Sequence, residues 1–147
     1  MNQPQSRTAS PVVHRLRQRL VALNYEVASE NRYQRRLIAD MLHTFGIRGV
    51  CEIDRPQDNG PLVSSHAEVI IWEWREPELA LLSRICRPRR GWRPAVIIIE
   101  PAPSTERVAM IIGAGACSVL ARPFSTNAIM SHVAHAVAMR SNEVALD

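Results

Sequence analysis

Four short apolar runs end in polar or charged side chains that could do chemistry. Ser29-Glu30 follows Leu23–Ala28, Glu73 follows Val69–Trp72, Glu100 follows Ala95–Ile99, and Arg122 follows Cys117–Ala121. Short runs of this kind, rich in β-branched residues and bounded by proline and turn residues, read as strands. A strand buried on both faces exposes chemistry only at its end, and in open parallel sheets the C-terminal edge is where ligands bind. Glu30, Glu73 and Glu100 could act there as acid and base groups. Arg122 could instead bridge carboxylates bidentately. Carboxylates gathered on one edge need mutual pairing or a cation in either case.

The elements that must position these groups alternate along the chain. The strand at Leu23–Ala28 is followed by Ser29 and Asn31, both suitable N-caps. A helix is expected from Arg32 to about Thr44, with Leu37, Ile38, Met41, Leu42 and Phe45 at helical spacing and Gly46 as the stop. Val50–Ile53 reads as a second strand. Residues 55–65 contain Pro56, Gly60 and Pro61, so a helix there must be short or broken. After the strand at Val69–Trp72 comes a helix over Pro77–Cys86, then a loop over residues 87–94 and the strand Ala95–Ile99. Ser104 caps a helix to about Ile112, and Gly113 and Gly115 turn the chain into the strand at Cys117. Ser125 caps a last helix to about Arg140, with Ile129, His132 or Val133, and Val137 facing inward. Strands alternating with helices five times argue a doubly wound α/β fold on a parallel sheet.

Composition narrows the chemistry further. The chain has 147 residues, 46% hydrophobic and 22% charged, which suits one domain with a core. No run approaches the ~18 apolar residues of a membrane span, and no apolar signal core follows the N-terminal arginines, so a cytoplasmic protein is expected. The net charge of +4 comes from arginine alone. The absence of lysine excludes a P-loop, a Schiff base and a lysine base. Cys51, Cys86 and Cys117 fit no metal spacing and read as small buried hydrophobes. Arginines gather at Arg7, Arg15, Arg17 and Arg19, and again at Arg84, Arg87, Arg89, Arg90 and Arg93 around Trp92. A small arginine-rich nucleic-acid-binding α/β protein is therefore one alternative, although no recognition helix or stacking motif accompanies either cluster. Val12, Val13, Leu16 and Leu20 could line one face of a short helix, a candidate docking or dimer element.

Residues 22–140 resemble the receiver domain of bacterial response regulators, the CheY-like family. The most specific stretch is Gly113-Ala114-Gly115-Ala116-Cys117-Ser118-Val119-Leu120-Ala121-Arg122-Pro123-Phe124, which looks like the family's signature with arginine in place of lysine. Asn31–Leu42 followed by Phe45-Gly46 is similar to the family's first helix, and Glu73-Trp74-Arg75-Glu76-Pro77 to its phosphoacceptor turn. The resemblance implies a (βα)5 receiver-like fold with sheet order 2-1-3-4-5 and a cis Arg122–Pro123 bond. The expected layout is a basic extension over residues 1–20, the domain over 21–141, and a tail over 142–147.

In that family a strand-three aspartate takes a phosphoryl group from a histidine kinase, with magnesium held by acids after strand one. A hydroxyl after strand four and the strand-five lysine bind the phosphoryl oxygens. Here the acid pair becomes Ser29 and Glu30, the phosphoacceptor becomes Glu73, the hydroxyl position becomes Glu100 or Ile99, and the lysine becomes Arg122. The strand-five aromatic position becomes Val119. Glu30 and Glu73 remain weak candidates for a metal, and no bound magnesium is expected. The expectation is a pocket in which Arg122 pairs with Glu73, Glu100 or both, closed without phosphate. The resemblance thus implies a degenerate, stand-alone, non-enzymatic interaction module in two-component or phosphorelay signalling, although phosphorylation at Glu73 stays open. Its partner would be a histidine kinase or an output protein engaged through residues 104–140, a homodimer also being open. His132 and His135 are expected to be half-buried on the last helix, away from the pocket edge.

Overall fold

The computed structural model describes residues 10–57, 67–88 and 92–146, with side chains in the last helix described through residue 140. The readings of residues 1–9, most of 55–65 and the centre of the 87–94 loop lie outside these segments. Ten elements are present among the described residues: α1 (Pro11–Ala22), β1 (Tyr25–Ser29), α2 (Arg32–Phe45), β2 (Val50–Ile53), β3 (Val69–Glu73), α3 (Leu79–Ile85), β4 (Ala95–Glu100), α4 (Thr105–Gly113), β5 (Ser118–Ala121) and α5 (Thr126–Leu146).

All strand pairs are parallel, and the order is β2-β1-β3-β4-β5, as expected. The order reverses between β1 and β3, so a crevice opens at the C-terminal edge there. Register places Ser29 opposite Glu73 and Glu73 opposite Ile99, while Glu100 lies opposite Ala121. Ser29, Glu73 and Ile99 therefore share one sheet face, and Glu100 belongs to the other.

Side chains of period two divide the core between those faces. On one, Val69, Ile71, Ile97 and Ile99 pack with Ile38 and Leu42 of α2 and Ile129 and Val133 of α5. On the other, Ile70, Trp72, Val96 and Ile98 pack with Leu82 of α3 and Ile111 of α4. Because β3 and β4 are covered on both sides, their side chains are buried along the strands until Glu73 is reached.

Caps fix where the helices begin. Asn31 Oδ1 accepts from the backbone N–H groups of Tyr33 (3.0 Å) and Gln34 (3.2 Å), so α2 starts just beyond the β1 exit. Gly46 ends α2 at φ 104°, a conformation that a Cβ would strain. Gly115 turns the chain between α4 and β5 at φ 119°, and a Cβ there would meet Cys86 Cβ at 2.6 Å.

Several expectations need correction. Leu37 is 47% exposed, because α2 turns Ile38, Ala39 and Leu42 inward and leaves Leu37 on the flank. Cys51 is exposed on the edge strand β2, whereas Cys86 and Cys117 are buried. Burial pushes the Cys86 thiol up to about 12. Helix α5 continues past Arg140 to Leu146, through the segment read as a tail. Helix α3 begins at Leu79 instead of Pro77. Helix α1 forms and anchors Leu20 in the core, but Val12, Val13 and Leu16 of the same stripe are exposed. Arg17 lies 4.9 Å from the Phe45 ring, tying α1 to the end of α2.

Candidate functional site

The β1, β3 and β5 exits meet in one charge cluster. Arg122 Nη2 forms an ion pair with Glu73 Oε2, and Arg122 Nη1 donates to Gln34 Oε1 at 2.7 Å. Ser29 Oγ donates to Glu73 Oε1 at 2.9 Å and accepts from the Asn31 N–H at 3.1 Å. Both carboxylate oxygens of Glu73 are thus engaged from within the chain. The pair is partly shielded, with the Arg122 and Glu73 side chains 25% and 18% exposed. Burial lowers the Arg122 pKa from its usual value, though a guanidinium remains charged.

The Arg122–Pro123 bond is cis, and the Phe124 ring lies 5.4 Å from the Arg122 guanidinium. The cis bond agrees with the expectation. Beside the pair is an open cleft of ≈ 420 Å³ whose lining includes Ser29, Glu30, Glu73, Arg75, Pro101 and Arg122. The pocket expected to be closed is therefore open to solvent, although its carboxylate is paired. Glu30 points away to Arg75 at 4.0 Å, with both side chains more than half exposed, a contact that contributes little.

Glu100 does not pair with Arg122. It is 4% exposed on the opposite sheet face, where Trp74 Nε1 donates to Oε1 at 2.8 Å and Arg107 Nε lies 2.9 and 3.0 Å from its two oxygens. The alternation along β4 explains the correction: a residue one step past Ile99 faces α4 instead of α5. Ile99, the other reading of the hydroxyl position, is fully buried in the core against Leu120 and cannot reach the cleft. Val119, at the aromatic position of β5, is half-buried.

The donor set does not fit a magnesium ion. Such an ion needs several oxygens with spare negative charge in octahedral array, but Glu73 is neutralised by Arg122 and Glu30 is turned to Arg75. Among the described residues no group of three or more His, Cys, Asp or Glu side chains could hold a metal.

Gln34, Arg107 and Trp74 were not singled out in the sequence. Gln34 lies three positions after the N-cap Asn31, a helical spacing that sets it over the β1 exit. Arg107 lies in the first turn of α4, where the N-cap Ser104 accepts its N–H at 3.1 Å. Among the histidines, His132 is half-buried and its Nδ1 contacts Ser118 Oγ at the far end of β5, while His135 is exposed, contrary to expectation. Burial, with a smaller effect from His135, lowers the His132 pKa. The arginine cluster keeps Arg84 and Arg87 exposed and Arg93 half-buried. No helix among the described residues is long and apolar enough to cross a membrane.

Comparison with solved structures places the fold. The chain is similar to a "putative pilus assembly-related protein" of Burkholderia pseudomallei, at 17% identity and a TM-score of 0.68, covering 81% of this chain and 92% of that one. It is also similar to a response regulator from Thermotoga maritima, at 18% identity and a TM-score of 0.65, covering 79% and 98%. A response regulator receiver domain protein (CheY-like) from Methanospirillum hungatei matches at 13% identity and a TM-score of 0.65, covering 83% and 99%. No family model matches the sequence, and no curated protein does. The five parallel strands in order 2-1-3-4-5 make this the CheY-like doubly wound α/β fold.

Proposed function

We propose that this chain is a degenerate receiver: a protein-interaction module of two-component signalling that does not take a phosphoryl group. The observation that carries the reading is the engagement of Glu73, held by Arg122 on one oxygen and by Ser29 on the other. An acyl phosphate requires a free, in-line carboxylate and a metal to neutralise the donor, since the protein contributes mainly positioning and electrostatics. Glu73 is neither free nor accompanied by a suitable metal set. In this reading Glu73 stands at the phosphoacceptor position, Ser29 and Glu30 at the acid pair, Glu100 or Ile99 at the hydroxyl and Arg122 at the lysine. No catalytic residue and no magnesium are assigned.

Output in such a module passes through a surface. The face built from residues 104–140 is the candidate for a signalling partner, a histidine kinase or an output protein. Met110 and Ile112 of α4 are 56% and 40% exposed there, which supports the choice.

The test is intact-mass measurement after incubation with acetyl phosphate and excess magnesium. The expected result is an unchanged mass. A species heavier by one phosphoryl group, lost in Glu73→Gln, overturns the reading.

A further inference from the structure

Helix α1 carries an apolar stripe that the domain buries only at one end. At its C-terminal end Leu20 is 3% exposed in the core, and the buried Tyr25 hydroxyl donates to the Leu20 carbonyl at 2.7 Å. Arg17 adds a second tie, its Nη2 donating to the Phe45 carbonyl at 3.5 Å. These contacts fix α1 against the end of α2. The earlier turns lie open: residues 11–19 are all exposed, with Val12 at 73%, Val13 at 54% and Leu16 at 39%. Ser10 caps the open end by accepting the Val13 N–H at 3.3 Å. The borders of the stripe are basic. By helical spacing, Arg15 and Arg19 run along its Val12 edge and Arg17 along its Val13 edge. No Asp or Glu precedes Glu26 in the sequence, so these guanidiniums have no acid on their own helix.

Charge selects among the occupants such a stripe could take. Two copies of α1 packed stripe to stripe would line the seam with arginines and offer no acid to pair them, which opposes a second copy. Nucleic acid would take the arginines and leave three apolar side chains in water. A protein groove gains little from two turns of helix, since a stable interface buries about 1,200 Å² or more. An anionic bilayer surface meets both features at once, with hydrocarbon for the stripe and phosphates for its borders. We propose that α1 is an interfacial helix by which the chain binds anionic phospholipid. Val12, Val13 and Leu16 enter the boundary between headgroups and acyl chains, and Arg15, Arg17 and Arg19 hold headgroup phosphates. Each arginine near an anionic leaflet strengthens binding about fivefold. The proposal does not depend on the receiver reading or on phosphorylation.

Flotation of the full chain with vesicles tests it. One set is phosphatidylcholine alone, and the other is phosphatidylcholine and phosphatidylglycerol in equal parts. The expected result is capture by the anionic vesicles, with binding to the neutral ones about tenfold weaker or less. Raising the salt from about 50 mM to about 500 mM should weaken the anionic binding. Arg15→Gln should weaken it about fivefold. Val12→Ser together with Val13→Ser keeps every charge and should weaken it about tenfold. If the serine pair disturbs the fold, Val12→Ser alone, at the most exposed position of the stripe, takes its place. Equal binding to both vesicles, or binding to neither, overturns the proposal. Undiminished binding of the serine variant overturns it as well, because the arginines would then act without the stripe. So does a dimer of the unaltered chain that the serine variant dissociates, or capture by duplex DNA without capture by vesicles.

Discussion

Arg122 at the β5 exit closes on Glu73 at the β3 exit, reaching across the end of β4, which lies between those strands. The contact is made on the face shared by Ser29, Glu73 and Ile99, while Glu100 is spoken for on the other. Two carboxylate–guanidinium pairs thus sit back to back on one sheet edge, each with its own neutral donor or acceptor.

Removing one partner of a partly shielded pair leaves a charge that water reaches only in part. Arg122→Ala should therefore cost about 1–3 kcal/mol, between the values for exposed and buried pairs. Denaturant midpoints at neutral pH measure it. A neutral effect would show that Arg122 is not the counter-ion of Glu73.

The cap of α2 supports the same pair at one remove. Asn31→Ala removes the acceptor for two backbone N–H groups and should cost about 1 kcal/mol. It should also loosen Gln34, whose amide oxygen holds Arg122. A double-mutant cycle of Asn31→Ala with Gln34→Ala is the check: coupled losses are expected, and strict additivity would separate the cap from the site.

The elements were readable in the sequence because burial on both faces writes continuous apolar runs, and caps such as Asn31, Ser104 and Ser125 write their own punctuation. The pairing of Glu73 with Arg122 was within reach for a similar reason: both follow such runs, and parallel topology brings run ends together. The fate of Glu100 was not readable. Its face depends on the parity of one residue at the end of β4, and its partners Trp74 and Arg107 come from different elements. Leu37 misled because an apolar residue at helical spacing can sit on the flank of the buried stripe. The exposed stripe of α1 shows the converse, with Leu20 in the core and Val12 outside it.

A pH dependence follows from His132. Its folded pKa is lowered below the usual 6.5, by burial first and His135 second. The unfolded chain therefore binds a proton more readily than the folded one, and stability from this group is present above 6.5 and lost as pH falls through that value toward the folded pKa. Denaturant midpoints taken between about pH 8 and about pH 5 should fall on the acid side. His132→Gln, which can still hydrogen-bond Ser118, should flatten that fall. An unaltered profile would mean that other groups govern acid stability.

The last prediction restores chemistry instead of removing it. If phosphoryl transfer fails for want of charge and geometry, single reversions should not recover it. In Glu73→Asp the carboxylate is drawn back by about one C–C bond, yet Arg122 and Ser29 remain and no second metal acid is supplied. A misplacement of ~1 Å alone can cost ~100-fold, and the missing ligands act on top of it. Ser29→Asp together with Glu73→Asp adds a metal ligand, and Arg122→Lys replaces the bidentate fork with a point charge that can turn to a phosphoryl oxygen. The triple variant should gain one phosphoryl group from acetyl phosphate in the presence of magnesium, seen by intact mass and abolished by chelation. Glu100 is left in place, so that the start of α4 stays anchored and the fold is not at risk. Labelling of Glu73→Asp alone to the same extent would mean that Ser29 and Arg122 never barred the reaction. No labelling of a folded triple variant would mean that Ser29, Glu73 and Arg122 alone do not account for the block.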